Sequence, residues 1–425
     1  HLPQDILIHI LSFLPTLDTI TTSLISTKWK PLWSLVPSLN FSYTHFPPYN
    51  NFSTTRQFFS EFIDRTLILK PQLPLKKFRL EFIYEDRYGY HVDSWVRYAI
   101  KNQVLELDLD FFIDKSFHIF EPEAKPNYDF PFSALRNSKV RVLKLCRCDL
   151  TLPANMESMN LWSMNEVYFD QVYMTDDTVL DLFKACPNIE VLKFEDCYGM
   201  ENLRLCSEKL KRLDLSSFYT AERELHLELD CPNLVWLNID CFEMGQFCVK
   251  NLSSLVEFHT FIVHGLEYYG QWCKVVKQLH RIAHIKHLVV QNWWLKLQTG
   301  YTTYDLLGMA ALLELCPNLE TMNLDPLYKI VEDESLSEEL LNKPINLFMP
   351  NLKEVRLKAY VPGQNQNQFS QFVSLLKKQG VVLEKIVLVS LYNGMSLPPV
   401  ILRRRPPRAE VIEESSLHVE GSPER

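Results

Sequence analysis

The sequence predicts an α/β protein: a small N-terminal domain of three helices, followed by an irregular solenoid whose repeats build a curved parallel sheet with helices and loops outside. Three observations predict it. The first 45 residues carry short apolar helical patterns broken by prolines. The frame L-x-x-L-x-L, with other apolar residues allowed, then recurs about a dozen times. Finally, 425 residues exceed what one hydrophobic core usually organises, which favours several domains or a repeat array.

The composition is that of a folded protein with no global preference for nucleic acid or membranes. Hydrophobic residues make up 47% of the chain, which excludes wholesale disorder, and the net charge is -8, which does not favour polyanionic partners. We find no secretory leader and no membrane-spanning apolar run. All cysteines lie between Cys146 and Cys316, and we interpret them as core residues rather than disulfides. We therefore expect an intracellular protein, in the nucleus and/or cytoplasm, without a membrane partner.

The N-terminal domain, placed at residues 1–45, is expected to dock on another protein. Pro3 suits a first helical position, and the apolar residues after it cover two adjacent helical stripes. Pro15 ends that helix, Asp18 is predicted to cap a second helix, and Ser26 is predicted to cap a third. Three such short helices cannot bury this much apolar surface alone, so a partner is implied. The alternative is that these residues are the first part of the following domain.

The run LPQDILIHILSFLP, followed by TSLISTKWKPLW, closely resembles the F-box of plant F-box proteins. In that family the F-box docks on a Skp-type adaptor, which links it to the cullin and RING subunits of a ubiquitin ligase. Lys28 and Lys30 stand where arginines are common, and they keep the positive charge. The resemblance assigns to the adaptor interface or its supporting core Leu2, Pro3, Ile6, Leu7, Ile10, Leu11, Leu14 and Trp29.

The repeat frame runs through most of the chain. In each frame the fourth and sixth residues of a short strand are predicted to point inward, while the third and fifth point outward. Helical spacing over Asp177 to Ala185 and over Asp305 to Leu315 precedes Cys-Pro-Asn junctions, where proline ends the helix. Stacked units of this kind form a leucine-rich-repeat solenoid, placed at residues 71–338. The frames begin at Leu75, Val104, Val140, Met164, Ile189, Leu210, Leu234, Leu255, Ile285, Leu319, Leu352 and Leu383.

Three further segments complete the predicted domain organisation. Residues 46–70 are predicted to form a helical linker that caps the first repeat, since end repeats need a cover. Residues 339–392 contain MPNLKEVRLKAYVPG, an amphipathic helical pattern and VLEKIVLVS. This order resembles the FBD module that follows such repeats in plants, and it is expected to continue the solenoid. Residues 393–425 are predicted to be a disordered tail.

The sequence predicts no catalytic residues, metal or cofactor. Motifs such as G-x-S-x-G, G-x-x-x-x-G-K-[ST] and H-E-x-x-H are absent, so we expect no enzymatic activity of the chain's own. The best metal candidate is the group His280, His284 and His287, because the first two share a helical face. No Asp, Glu or Cys stands nearby as an obvious further ligand, so we interpret these histidines as structural.

The resemblance implies a non-catalytic substrate-recognition subunit of an SCF-type (Skp-cullin-F-box) ubiquitin ligase, with an unidentified protein substrate bound on the concave sheet. The alternatives are a stand-alone leucine-rich-repeat binding protein and a small-molecule co-receptor of the same architecture. Trp236 is the foremost candidate, because Trp and Arg are enriched among residues that dominate binding energy; alternatively, a neighbouring loop covers it. The predicted substrate-binding residues are Lys144, Tyr168, Arg212, Trp236, Asn238 and His259.

Overall fold

The computed structural model describes residues 2–49, 51–112, 127–218, 225–241, 244–261, 284–292, 318–326, 351–359, 384–392, 395–396, 400–404 and 417–420. The chain divides into two compact units. Unit 1 comprises residues 1–200 with 217–221, and unit 2 comprises residues 201–216 with 222–425. No helix in the described ranges is long and apolar enough to cross a membrane.

Unit 1 begins with the three predicted short helices, whose starts differ from the predicted ones. Pro3 and Pro15 each lie directly before a helix, a position that needs no amide donor. Asp18 therefore lies inside the first turn and does not cap it. The Ser26 carbonyl accepts the amides of Trp29 and Lys30 in a turn, so Ser26 does not cap the third helix. The helices are α1 (Gln4–Leu11), α2 (Thr16–Thr21) and α3 (Leu32–Leu35).

The remainder of unit 1 alternates strands with helices or loops. Its main sheet has the order β1-β2-β3-β5-β7-β8 with all neighbours parallel, and β4 pairs with β6 separately. The elements are β1 (Ser38–Ser42), α4 (Phe52–Leu69), β2 (Lys77–Glu81), α5 (Gly89–Lys101), β3 (Glu106–Asp110), β4 (Tyr128–Phe130), β5 (Val142–Cys146), β6 (Cys148–Leu150), β7 (Glu166–Asp170), α6 (Asp176–Ala185) and β8 (Val191–Glu195).

Strand β1 is a repeat strand within the segment that the sequence analysis assigned to the helical domain. Val36, Leu39 and Phe41 follow the repeat frame and are buried, and β1 pairs with β2 from Ser38 opposite Lys77. The helix predicted in residues 46–70 is present as α4. It connects two neighbouring strands of the sheet, so it is a repeat helix rather than a cap beyond the first repeat.

Helix α6 shows how the local sequence sets a repeat. Thr175 caps it, with its side chain accepting the Thr178 amide, and acidic residues occupy the first turn, where they complement the helix dipole. Val179 and Leu182 are buried at helical spacing. The helix predicted over Asp177 to Ala185 is thus confirmed. The second predicted helix, Asp305 to Leu315, lies outside the described residues.

Unit 2 is built mainly from strands. Its main sheet has the order β10-β12-β14-β15-β16-β17-β18-β20-β21, parallel from β12 to β18 and antiparallel thereafter, and β19 pairs with β18. The strands are β9 (Asn202–Cys206), β10 (Arg212–Phe218), β11 (Leu225–Asp230), β12 (Trp236–Cys241), β13 (Met244–Asn251), β14 (Glu257–Phe261), β15 (His287–Asn292), β16 (Thr321–Pro326), β17 (Glu354–Ala359), β18 (Lys385–Tyr392), β19 (Met395–Ser396), β20 (Val400–Arg404) and β21 (Leu417–Glu420).

Every repeat frame from Leu75 to Leu383 gives a strand of a main sheet, so the predicted α/β class with parallel repeat strands is confirmed. In unit 2, however, connecting segments that were expected to be helices or loops form a parallel sheet of their own, β13-β11-β9. The reason is local. Apolar residues in these segments alternate with period two, and the buried set includes Leu203, Leu205, Leu227 and Leu229.

The C-terminal region differs from the predicted tail in two segments. β20 pairs antiparallel with β18, and β21 pairs with β20, within residues 393–425 that the sequence analysis read as disordered. The apolar run from Val400 to Leu402 has strand composition, and pairing it with β18 covers an edge that would otherwise be open. The helical part of the FBD-like segment 339–392 lies outside the described residues.

Candidate functional site

The N-terminal helices divide the predicted adaptor-binding residues into a core and a surface. Leu7 and Leu11 are buried together with Leu32 and Val36, and Trp29 packs partly buried against this cluster. A side chain that is 1% exposed, as Leu11 is, cannot contact a partner directly. Of the two roles that the resemblance allows, interface or supporting core, Leu7 and Leu11 therefore fit the supporting core, because the stripe that carries them faces inward.

The other stripe of α1 is exposed. Ile6 and Ile10 are 44% and 43% exposed, and their four-residue spacing places them on one helical face. Leu2, Pro3 and Leu14 are also exposed. The structure adds apolar side chains that sequence reasoning did not select, although the wide apolar arc of α1 signalled an excess of such surface. These additional exposed residues are Phe13, Leu24 and Ile25.

The outward face of the unit 1 sheet is a network of ion pairs. The Glu106 carboxylate accepts from the ammonium groups of Lys77 and Lys144, at 2.9 and 3.0 Å. Arg79 pairs with Asp108 across the next strand at 3.1 Å. Each of these cations therefore already has an acidic partner within the sheet, and the pairs hold neighbouring strands in register.

The predicted substrate-binding residues Lys144 and Tyr168 lie in register on this face. The Lys144 ammonium is 5.2 Å from the centre of the Tyr168 ring, and the Tyr168 hydroxyl donates to Glu166 at 2.8 Å. Both side chains point outward as predicted, but both are engaged by neighbours.

In the five frames that begin between Leu75 and Ile189, the seventh position carries an acid or a cysteine, a row that was missed because only the third and fifth positions were read. The row consists of Glu81, Asp110, Cys146, Asp170 and Glu195. Four of them, Asp110, Cys146, Asp170 and Glu195, line a cavity of about 150 Å³. Burial raises the pKa of the Asp110 and Asp170 carboxyls, and it raises that of the Cys146 thiol, which donates to Asp170 at 3.4 Å. A thiol with a raised pKa is a poor nucleophile, so this row offers polar contacts rather than chemistry.

In unit 2 the structure brings three of the predicted residues into direct contact. The guanidinium carbon of Arg212 lies 3.5 Å from the centre of the Trp236 ring. The His259 ring packs on the same tryptophan at a centroid distance of 4.7 Å. Trp236 is half-buried, and within the described residues its cover comes from these side chains of adjacent strands.

Asn238 completes the group predicted in unit 2 and fixes its acidic neighbour. Its amide donates to the Asp214 carboxylate at 2.8 Å and to the Ser216 hydroxyl at 3.1 Å, while Ser216 itself donates to Asp214. On the other side, the His259 Nε2 lies 2.5 Å from the Glu257 carboxylate. Asp214 and Glu257 on these strands are therefore each hydrogen-bonded to neighbouring side chains.

The histidines considered as metal ligands have other contacts. His284 Nε2 lies 3.0 Å from the Leu252 carbonyl oxygen, and His287 Nδ1 lies 2.5 Å from the Thr321 hydroxyl. His280 lies outside the described residues. Within the described ranges, no group of three or more His, Cys, Asp or Glu side chains is placed to hold a metal.

The cysteines that the structure describes are free thiols, and several fill the core. Cys148, Cys186, Cys197 and Cys231 are buried, and burial raises the pKa of each thiol. They act as small apolar residues, as predicted from the sequence.

Comparison with known families matches both parts of the chain. The F-box domain model covers residues 1–41, and the family model described as "At1g61320/AtMIF1, LRR domain" covers residues 70–363. The chain belongs to the plant F-box/leucine-rich-repeat family. The resemblance of the N-terminal run to the F-box is thereby confirmed.

Similar Arabidopsis thaliana proteins span nearly the whole F-box/leucine-rich-repeat chain. A putative FBD-associated F-box protein is 26% identical over 426 residues, covering 91% of this chain and 94% of that protein. F-box/LRR-repeat protein 13 is 24% identical over 422 residues, covering 91% of this chain and 88% of that protein. An F-box/FBD/LRR-repeat protein is 24% identical over 432 residues, with the same coverage of 91% and 88%. The likeness to FBD-containing members is thus confirmed.

Proposed function

We propose that this protein is the substrate-recognition subunit of an SCF-type ubiquitin ligase. The F-box binds a Skp-type adaptor, through which the cullin and RING subunits join, and the outward faces of the repeat sheets bind a protein target. The chain itself is non-catalytic. It raises the effective concentration of the target near the conjugating enzyme and orients it, while the thioester chemistry belongs to other subunits.

The two-sided character of α1 carries this proposal. One stripe, with Leu7 and Leu11, holds the helices together, whereas Ile6 and Ile10 on the other stripe are exposed. Fully burying such a side chain stabilises a complex by roughly 1.5–3 kcal/mol. A partner that covers this stripe therefore gains binding energy without disturbing the F-box core.

The buried free thiols support a reducing compartment, so we place the complex in the nucleus and/or cytoplasm. The negative net charge of the chain and the paired cations of the unit 1 sheet make a protein, rather than a nucleic acid, the fitting target.

The test is adaptor binding by an Ile6→Asp/Ile10→Asp double variant. Two carboxylates placed in an apolar interface cost several kcal/mol, so we expect at least a hundredfold loss of affinity in a calorimetric titration with a purified Skp-type adaptor. The matched control is Ile68→Asp/Leu69→Asp, which puts the same change on exposed apolar residues of α4.

Circular dichroism should be unchanged in both variants, because all four positions are exposed. Undiminished adaptor binding by the Ile6/Ile10 variant would refute the assigned docking surface. Absence of adaptor binding by the unaltered chain would favour the stand-alone binding protein instead.

A further inference from the structure

Arg212 is a cation that stacks on an aromatic ring and, among the described residues, forms no ion pair with an acid. Its side chain is exposed, and its guanidinium stacks on the Trp236 ring at 3.5 Å. It makes no ion pair or hydrogen bond with the residues that the structure describes. Stacking on an aromatic face holds the guanidinium plane and leaves its edge, which carries the N–H donors, free to bind.

Other cations on outward-facing strand positions differ from Arg212. Lys77 and Lys144 share Glu106, and Arg79 pairs with Asp108. Arg356 pairs with Glu354 at 2.6 Å. The first three cations link neighbouring strands, whereas Arg356 pairs within its own strand, and each of the four has an acidic partner.

The acids beside Arg212 are hydrogen-bonded to other side chains. Asp214, two residues along the same strand, accepts from Ser216 and Asn238, and Glu257, in register with Trp236, is bound to His259. Neither acid forms an ion pair with Arg212 in the part of the chain that the structure describes. They also set its selectivity, because two nearby carboxylates disfavour a second negative charge on any bound group.

We propose that Arg212, held on Trp236, binds a single carboxylate of the target protein, either an Asp or Glu side chain or a C-terminal carboxylate. A guanidinium matches a planar carboxylate with two parallel N–H···O bonds. A phosphate, with its greater charge, fits this surface less well. The inference rests on the proposed function, since it names the chemistry of the target that the repeats recognise.

In the test, the full chain is labelled with 5-fluorotryptophan and titrated with acetylated tripeptides. The Trp236 signal is followed by fluorine NMR. Trp236→Phe assigns that signal. The probes are acetyl-Gly-Glu-Gly-amide, its Gln and phosphoserine counterparts, and acetyl-Gly-Gly-Gly with a free C-terminal carboxylate. We expect one or both carboxylate peptides to shift the Trp236 signal, and the Gln peptide to leave it unchanged. Comparing the two carboxylate peptides shows whether a side-chain or a C-terminal carboxylate is recognised.

Arg212→Gln should weaken carboxylate binding at least about tenfold, and Arg212→Lys should weaken it as well, because lysine keeps the charge but not the planar fork. The matched control is Arg204→Gln, another exposed arginine of unit 2, on β9, which should leave binding unchanged. Unchanged fluorine signals of the other tryptophans show that each variant is folded.

Three results would overturn the inference: no shift with either carboxylate peptide, a shift that survives Arg212→Gln, or tighter binding of the phosphoserine peptide. The titration does not involve the adaptor. A negative result with adaptor binding intact therefore counts against this inference alone, whereas a failure of adaptor binding counts against the proposed function.

Discussion

The ammonium group of Lys70 donates a hydrogen bond to the carbonyl oxygen of Val36 at 2.7 Å, which joins the end of α4 to the end of α3. A second bond, of 2.9 Å, reaches the Ser34 carbonyl. Lys70 is 4% exposed, and burial lowers its pKa to about 8. Both acceptors are neutral, so an uncharged amine satisfies them with its two hydrogens. This lysine therefore makes the junction between the F-box and the first repeat helix sensitive to pH.

The direction of this pH dependence follows from the difference in proton binding between the folded and unfolded chains. Between pH 8 and about 10.5 the unfolded chain holds a proton on Lys70 that the folded chain has lost. Raising the pH through this window therefore stabilises the unaltered protein relative to Lys70→Met. From urea unfolding at pH 7.5 and pH 10, we expect the difference in unfolding free energy to move by on the order of 2 kcal/mol.

Lys76→Met, at an exposed lysine, is the control for removing one ammonium group. An unchanged difference between the unaltered protein and Lys70→Met at the two pH values would show that Lys70 stays charged in the folded state.

The inner and outer stripes of α1 should separate stability from binding. Leu11→Ala removes a buried side chain from the F-box core and should destabilise this domain by roughly 2–4 kcal/mol. Ile10→Ala should leave the unfolding free energy nearly unchanged while weakening adaptor binding. Amide exchange of α1 in the free protein reports the first effect and calorimetry reports the second. Equal protection of the helix in both variants would contradict the inward placement of Leu11.

Glu106 should make the unit 1 sheet sensitive to acid. Burial alone would raise the pKa of this carboxyl, but hydrogen bonds and charge from Lys77 and Lys144 outweigh burial and lower it. The stabilisation is therefore present above the unfolded pKa, near 4.3, and is lost as pH falls through the lower folded pKa. Glu106→Gln should lose on the order of 1 kcal/mol at pH 7, and this loss should shrink as the pH falls below the unfolded pKa.

Chemical unfolding of the Glu106→Gln variant across this pH range provides the measurement. Glu195→Gln is the matched control, because Glu195 pairs with Lys193 of its own strand and bridges no two strands among the described residues. A pH-independent loss in Glu106→Gln would mean that packing, not charge, is responsible.

The repeat strands could be predicted because their signal is local. The residues within one frame are enough to predict which of its side chains are buried, and the frames that begin at Leu75 and Leu383 both give strands. The strand at Ser38–Ser42 obeys the same rule, but it directly follows the helices and was read as part of them. The apolar alternation of Leu225, Leu227 and Leu229 was present too, yet a solenoid was expected to place helices in such connections.

The residues of the binding surface could be listed from the sequence, but their contacts could not. Spacing places Arg212 and Trp236 on one face, whereas their stacking depends on the pairing of β10 with β12. Likewise, the sequence marks Leu11 and Ile10 as equally apolar. Only the packing of α1 against α3 decides that Leu11 is core and Ile10 is surface.

The ion pair between Arg56 of α4 and Glu85 offers a last test of how α4 is held. Arg56 is buried, while Glu85 is partly exposed. Removing one partner of such a pair leaves a buried charge without compensation, so Glu85→Gln should cost about 3 kcal/mol in unfolding free energy. Glu61→Gln is the control on the same helix, since its pair with Arg65 is exposed at 3.7 Å and should contribute little.

The single variant Arg56→Met and the double variant Arg56→Met/Glu85→Gln complete a double-mutant cycle, measured by urea unfolding. Replacing the buried guanidinium with an apolar side chain removes the uncompensated charge, so the double variant should be more stable than Glu85→Gln alone. Additive losses from the two substitutions would show that the pair is not coupled. In that case α4 would be held on the sheet by its apolar face alone, with Phe59 and Ile63 at its centre.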